Sequence, residues 1–302
     1  MKKLFRNALS AILVSATAAT AQPTNGLQLY YNFDDRFATD QSGNGNSGTP
    51  LSLDWGRDVV GNLPSTAIFN STLGSHIALP EDLLNQQEIT VSLWFKTSGT
   101  GCILGYQDVW LGGSVGQFVP SIYITNSGTL STTFWASTTT SINNNGVTYN
   151  DNEWHHVVLA GNATGQDVYI DGTLVNSTTS GIVTLANASF AQLGSGYAHG
   201  NWPGGPSSAT PFSFEGAIDE VRIYNRRIDA TEAQQLFNTT PTPIGLLADY
   251  DLANANGTDD SFNNNDATVN NAAATFDHNG NAYSAAYFNG TNGSAGTSME
   301  LY

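Results

Sequence analysis

From Ile89 to Lys96 the side chains alternate, with Ile89, Val91, Leu93 and Phe95 on one face and Thr90, Ser92, Trp94 and Lys96 on the other. A period of two belongs to a β-strand, which sends successive side chains to opposite faces. The pattern returns, bounded by Gly, Asn and Ser, at Ser121 to Thr125, Leu130 to Trp135, Trp154 to Ala160 and Asp167 to Asp171. Between Val168-Tyr169-Ile170 and Thr173-Leu174-Val175 stands Asp171-Gly172, a pair that readily takes the positive φ of a type I′ hairpin turn. Many short strands joined by such turns predict an all-β sandwich, in which alternate side chains of two sheets share one apolar interior. One helix is expected near the end of this unit. Asp229 offers an N-cap, Glu232 completes a capping box, and Ala233, Leu236 and Phe237 follow on one face.

Internal repetition sets the domain layout. Gly26-Leu27, Tyr31, Asp40, Ser42, Asn44, Asn46, Gly61-Asn62, Phe69-Asn70 and Gly74-Ser75 recur as Gly245-Leu246, Tyr250, Asp259, Ser261, Asn263, Asn265, Gly280-Asn281, Phe288-Asn289 and Gly293-Ser294. The offset is 219 throughout, and a chance match in Asn- and Ser-rich sequence would not also keep Tyr and Phe in register. The expected layout is one full domain over 24–238, a linker over 239–244 stiffened by Pro241 and Pro243, and the opening of a second domain over 245–302.

The chain begins with Lys2, Lys3 and Arg6, continues through an apolar run and reaches Ala19-Thr20-Ala21, the layout of a secretory signal peptide over 1–21. The run is too short to span a bilayer, and no later segment approaches a span, so a secreted or cell-surface location is expected. Cleavage removes three basic residues and takes the formal charge from -16 to -19. So few Lys and Arg exclude nucleic acid and anionic membranes as partners, whereas an acidic exported chain is a natural host for divalent cations. Cys102 is the only cysteine, so no intramolecular disulfide is possible.

Several segments then carry a family resemblance. They are Leu27 to Phe33 followed by Asp40 to Asn46, Ala67 to Asn70, Ile89 to Lys96, Asn152 to Val158, Val168 to Gly172, and Phe214-Glu215-Gly216-Ala217-Ile218-Asp219-Glu220-Val221-Arg222-Ile223-Tyr224-Asn225-Arg226. In order and spacing the first unit resembles the laminin-G-like, concanavalin-A-like lectin/glucanase superfamily, in its bacterial LamG or pentraxin-like branch. The resemblance implies a jelly-roll sandwich of two antiparallel sheets, commonly holding calcium, in adhesins, glycan-binding appendages and multidomain surface proteins. The fold hosts many functions and so implies no single ligand.

Candidate sites follow from residue chemistry. Asp40, Ser42, Asn44 and Asn46 offer oxygens at alternate positions of a Gly-rich loop, a donor set suited to Ca²⁺ if a remote acid such as Asp34, Asp35 or Asp219 completes it. The competing reading is a loop held by Asx-turn hydrogen bonds alone. In strict alternation Asp219 shares a face with Ala217, Val221 and Ile223 and needs a partner if buried. In the Gly- and Pro-rich segment from Ser195 to Pro211, Tyr197, His199, Asn201 and Trp202 can stack on and hydrogen-bond a sugar, or Trp202 can fold back over the core edge. Gln107, Asp108 and Trp110 form a second such group, while Trp94 and Trp135 read as core. His155 and His156 are adjacent on a strand, face opposite ways and cannot grip one ion together.

Catalytic signatures are missing. Glu215, Asp219 and Glu220 lack the alternate spacing that retaining glucanases of this superfamily use, and no nucleophile elbow or zinc motif occurs. The sequence therefore predicts a non-enzymatic module that binds a glycan or an extracellular surface partner through edge loops. Its rival is a structural or adhesive spacer repeat.

Overall fold

The computed structural model describes residues 22–59, 65–71, 74–139, 142–208 and 210–239, with four short strands between 268 and 300. In chain order the first strands are β1 (Leu27–Tyr31), β2 (Thr49–Leu51), β3 (Asp54–Gly56), β4 (Thr66–Phe69), β5 (His76–Ala78), β6 (Ile89–Lys96), β7 (Gly101–Gln107) and β8 (Phe118–Ile124). They are followed by β9 (Thr129–Thr132), β10 (Ile142–Thr148), β11 (Trp154–Asn162), β12 (Gly165–Ile170), β13 (Thr173–Thr178) and β14 (Phe190–Leu193). The unit ends with β15 (Tyr197–Ala198), β16 (Thr210–Pro211), β17 (Gly216–Tyr224) and α1 (Ala230–Asn238).

Apart from β15 and β16, which pair only with each other, these strands form the two antiparallel sheets of a jelly-roll sandwich. One sheet runs β13-β12-β11-β6-β17-β4-β3 with β1 also on β17, and the other runs β10-β9-β8-β7-β14-β5-β2. Val91, Leu93 and Phe95 of β6 meet Ile103, Leu104 and Ile122 of the opposite sheet in one core, as the alternation predicts. The hairpin between β12 and β13 turns at Asp171 (φ 48) and Gly172 (φ 74), both left-handed, as a type I′ turn requires. Trp135 lies beyond the end of β9, partly buried against the core.

The other face of β6 is largely buried as well, with Thr90 bonded to the segment before α1, Ser92 to His156, and Trp94 stacked on Phe237 of the helix. The helix starts on the expected capping box between Asp229 and Glu232. Its Ala233 and Leu236 close a second apolar cluster with Val158, Ala160, Tyr169 and Tyr224 on the outer face of the first sheet. Burying Leu236 alone is worth about 2 kcal/mol.

β17 departs from simple alternation in a way that bears on the site. β17 carries a bulge between Asp219 and Arg222, and Glu220 within it has a left-handed φ of 52. The extra residue resets the faces. Val221 and Ile223 turn into the core, while Asp219 pairs across from Trp94 on the outer face, so the expectation that it shares a face with Val221 and Ile223 is corrected. The bulge is held by an ion pair between Glu220 and Arg222, whose side chains are 3% and 2% exposed. The Tyr30 hydroxyl donates to Glu220, and the Arg222 guanidinium lies 4.0 Å over the Tyr30 ring.

Further along lie β18 (Thr268–Asn270), β19 (Ala273–Thr275), β20 (Ala285–Tyr287) and β21 (Ser298–Glu300). β19 pairs with β20 as Ala273 to Tyr287 and Thr275 to Ala285, which is the register of β3 on β4 displaced by 219 residues in both partners. The expected signal peptide, all but the first residue of the expected linker over 239–244, and most of the expected second domain lie outside the described residues. Among the described residues no helix is long and apolar enough to cross a membrane.

Removing one member of a buried ion pair leaves the other charge without compensation, a cost of about 3–5 kcal/mol. Glu220→Ala is therefore expected to lower unfolding stability in urea by about that much. Glu232→Ala, which breaks the more exposed pair with Arg226, is expected to cost about 1 kcal/mol. Equal losses in the two variants would show that the bulge does not depend on its ion pair.

Candidate functional site

The Asp40 to Asn46 loop closes on the protein itself. Asp40 Oδ1 accepts from the backbone N–H groups of Tyr30 (3.0 Å) and Ser42 (2.9 Å), and Oδ2 accepts from Ser42 Oγ (2.8 Å) and Asn46 N–H (2.9 Å). Burial pushes this carboxyl up, but the hydrogen bonds outweigh it and hold the group below its ordinary value. Asn44 Nδ2 donates to the Leu27 carbonyl (2.9 Å) and Asn46 Nδ2 to that of Gln28 (2.8 Å). β1 pairs with β17 on one side only, so these amides stand in for a neighbouring strand along its other edge. Ser42, Asn44 and Asn46 all converge on the Gln28 carbonyl, so each member of the pattern has a hydrogen-bonding role within the protein.

The structure gathers the nominated loop aromatics but buries most of them. Trp202 is 2% exposed and lies 6.4 Å from Trp135, folded back over the core edge with no face open to a sugar. Tyr197 is buried too; its hydroxyl accepts from Gly112 N–H (2.8 Å) and donates to the Gly113 carbonyl (2.9 Å). That bond ties the segment to the loop of Trp110. Gln107 is buried in a reciprocal amide pair with Gln192, and Asp108 caps the backbone of Gly116 and Gln117. Asn201 is exposed and donates through its backbone N–H to His199 Nδ1. Trp110, 48% exposed and 4.4 Å from the Phe190 ring, is the nominated aromatic that presents a surface.

A larger concavity lies where sequence reasoning did not place one. α1 covers only part of the outer face of the first sheet, and beside its last turn opens a groove of about 990 Å³. Its floor is Trp94, stacked on Phe237 of the helix with centroids 5.5 Å apart and planes at 23°. Trp154 pairs across from Lys96, and both line the groove. Exposed Glu153 and Glu215 stand at its rim. Trp94 is buried, as its reading as core expects, but under Phe237 of the helix on the outer face rather than in the interior between the sheets, and alternation alone does not tell how far such a second layer extends. A Trp flanked by polar residues on the outer face, next to Trp154 two residues along the neighbouring strand, is the signal that could have found it.

The wall of the groove is clipped by a histidine. His155 Nδ1 lies 3.1 Å from Asp171 Oδ2, and Nε2 lies 3.2 Å from Asp151 Oδ1. Both ring nitrogens therefore face carboxylates, which favours the doubly protonated ring. The hydrogen bond to Asp171 raises the His155 pKa above its ordinary 6.5, against the opposing effect of burial. The ring packs edge-on to Tyr149 and against Phe95. His156 points the other way, as expected, and is buried with Nε2 2.8 Å from Ser92 Oγ. Burial, assisted by Arg222, pushes its pKa down to about 3 and keeps it neutral.

The remaining cluster is acidic. Asp219 Oδ1 accepts from Glu220 N–H (2.7 Å), while Oδ2 is buried with no hydrogen-bond partner. Burial raises this carboxyl well above its ordinary value, with Glu220, Asp58 and Asp34 adding repulsion. Asp58 is buried and also lines the groove, and Asp34 is exposed. Among the described residues no three acidic, histidine or cysteine side chains converge as a ready metal cage.

A family model described as the concanavalin A-like lectin/glucanases superfamily matches residues 70–234. No curated protein matches the chain. The binding domain of Paraclostridial Mosquitocidal Protein 1 superposes with a TM-score of 0.52 and 17% identity over 72% of this chain and 52% of its own. The Trypanosoma rangeli sialidase in complex with 2,3-difluorosialic acid gives 0.52 and 18% over 73% of this chain and 34% of its own. Domain 4 of AbnA, a GH43 extracellular arabinanase from Geobacillus stearothermophilus in complex with arabinotriose, gives 0.48 and 23% over 70% and 97%. The chain thus spans about half and a third of the first two proteins, and these likenesses show the fold.

The raised pKa of His155 has a sign. Its clip contributes stability that is fully present below the unfolded value of 6.5 and is lost as pH rises through the higher folded value. In thermal melts, the Tm difference between the native chain and His155→Gln should therefore be largest near about pH 6 and shrink toward about pH 9. A difference that widens with pH would show that the ring is not held as a cation.

Proposed function

The chain belongs to the concanavalin A-like lectin/glucanases superfamily, and from that premise we propose that it is a secreted, non-catalytic module that binds carbohydrate in the groove beside α1. The observation that carries the reading is the groove itself, with half-buried Trp154 beside a floor of buried Trp94 and with hydroxyl acceptors at its rim. Sugar rings present C–H faces that pack on indole, and carboxylates accept their hydroxyls. The non-catalytic part is supported by Glu220, whose carboxylate is committed to Arg222 and Tyr30, and by Asp219, which is buried. Export rests on the signal-peptide pattern of 1–21, and the pairing of β19 with β20 supports the reading of 245–302 as the opening of a second copy.

The calcium expected from the sequence is reassigned within this proposal. The Asp40 loop already satisfies its carboxylate, whereas Asp219 keeps an unpartnered buried oxygen near two further acids. We place the ion at Asp219 and Asp58, with Asp34 drawn in from the surface. There it would neutralise a surplus of negative charge and brace the sheet next to the groove. The sequence repeat keeps Asp58 as Asp277 but replaces Asp34 with Ala253, which makes Asp34 the weaker ligand.

Two measurements test these readings. On a glycan array Trp154→Ala should reduce retention about tenfold or more, the scale of a lost aromatic stack plus its buried area, while Trp110→Ala should leave it nearly unchanged. The reverse order would move the site to the edge loop, and no retention by the native chain would favour the spacer. Calcium should raise the Tm, because a ligand of the native state stabilises it, and chelator should reverse the shift. Asp219→Asn should abolish that shift. Its survival in this variant, combined with its loss in Asp40→Asn, would return the ion to the loop.

A further inference from the structure

We infer that the groove selects glycans free of carboxylate and sulfate groups, with Glu153 and Glu215 acting both as hydroxyl acceptors and as a charge filter. The inference rests on the groove being the ligand site and concerns what it admits.

Charge at the groove is lopsided. Lys96 and Arg57 line it together with four acids, Asp58, Glu153, Asp171 and Glu215. The other arginines near the outer face are committed elsewhere, Arg222 to Glu220, Arg226 to Glu232 and Arg227 to Asp167. None of those three lines the groove. With Asp58 assigned to the proposed ion and Asp171 paired with His155, the acids that an anionic ligand meets at the rim are Glu153 and Glu215, on a chain that is itself strongly acidic.

The acids differ in how far they are already engaged. Asp171 is taken up by His155 and by the backbone N–H of His156. Glu153 and Glu215 are exposed, and neither carboxylate accepts a hydrogen bond from the described residues. An ionised carboxylate can only accept, so what sits against these two must donate. The hydroxyls of an uncharged sugar fit that demand, and a uronate or sulfate presents acceptors to acceptors. Lys96 supplies a donor from the floor for a ring or hydroxyl oxygen.

The test uses the full chain on an array of neutral, uronate-bearing and sulfated oligosaccharides, with Trp154→Ala as the site control. The expected result is retention of neutral glycans, with anionic ones bound about tenfold more weakly at low ionic strength and the gap narrowing in added salt. The double variant Glu153→Gln, Glu215→Gln keeps a side-chain carbonyl acceptor at each position and removes both charges. It should raise binding of the anionic glycans about tenfold and alter that of the neutral ones much less. A native preference for uronate or sulfate that Trp154→Ala abolishes would overturn the charge filter and leave the groove as the site. An unchanged neutral-to-anionic ratio in the double variant would also overturn it. Absence of binding to every class would overturn the groove reading, and the filter with it.

Discussion

The outer face of the first sheet is organised by one extra residue in β17. That strand is the junction of the sheet, flanked by β6 on one side and by β4 and then β1 on the other. Glu220, left-handed in the bulge, lets Ile218, Val221 and Ile223 all reach the core although they are not evenly spaced. The cost is a backbone conformation that a non-glycine residue seldom adopts, and the offsetting interaction is the buried pair with Arg222 under Tyr30. Because the bulge also resets Asp219 to the outer face, the acid with the unpartnered oxygen and the Trp94 floor of the groove share one side of the sheet.

The groove is a consequence of incomplete cover. A nine-residue helix cannot span a sheet of this width, so α1 seals Val158, Ala160 and Tyr224 and stops beside Trp94. Phe237 in its last turn finishes the seal by stacking on the indole, and what lies past that point stays open. The clip of His155 to Asp151 and Asp171 then holds the segment that carries Glu153 and Trp154 against the β12–β13 turn. Floor, wall and rim thus come from elements far apart in the chain.

Much of the fold was legible because its signals are local. Alternation along Ile89 to Lys96, the Asp171-Gly172 turn and the Asp229 capping box each depend on neighbouring residues and appear where they were read. The sites were less legible for three different reasons. Loop aromatics such as Trp202 carry no local sign of whether they turn outward or inward. The oxygens and amides of Asp40, Ser42, Asn44 and Asn46 suit a cation and a hydrogen-bonded loop alike, and only the free edge of β1 reveals the second use. The bulge at Glu220 is invisible in the alternation it interrupts, since hydrophobic residues continue on both sides of it.

The sequence by itself determined the class of fold, the sandwich and the place of the helix, because periodicity, capping and turn chemistry act over a few residues. Tertiary structure alone decided how much of the outer face α1 covers, which carboxylate oxygen is left without a hydrogen-bond partner and which tryptophans stay partly exposed. Those outcomes depend on what packs against each residue from distant parts of the chain, and burial is a property of the assembled layers rather than of any segment.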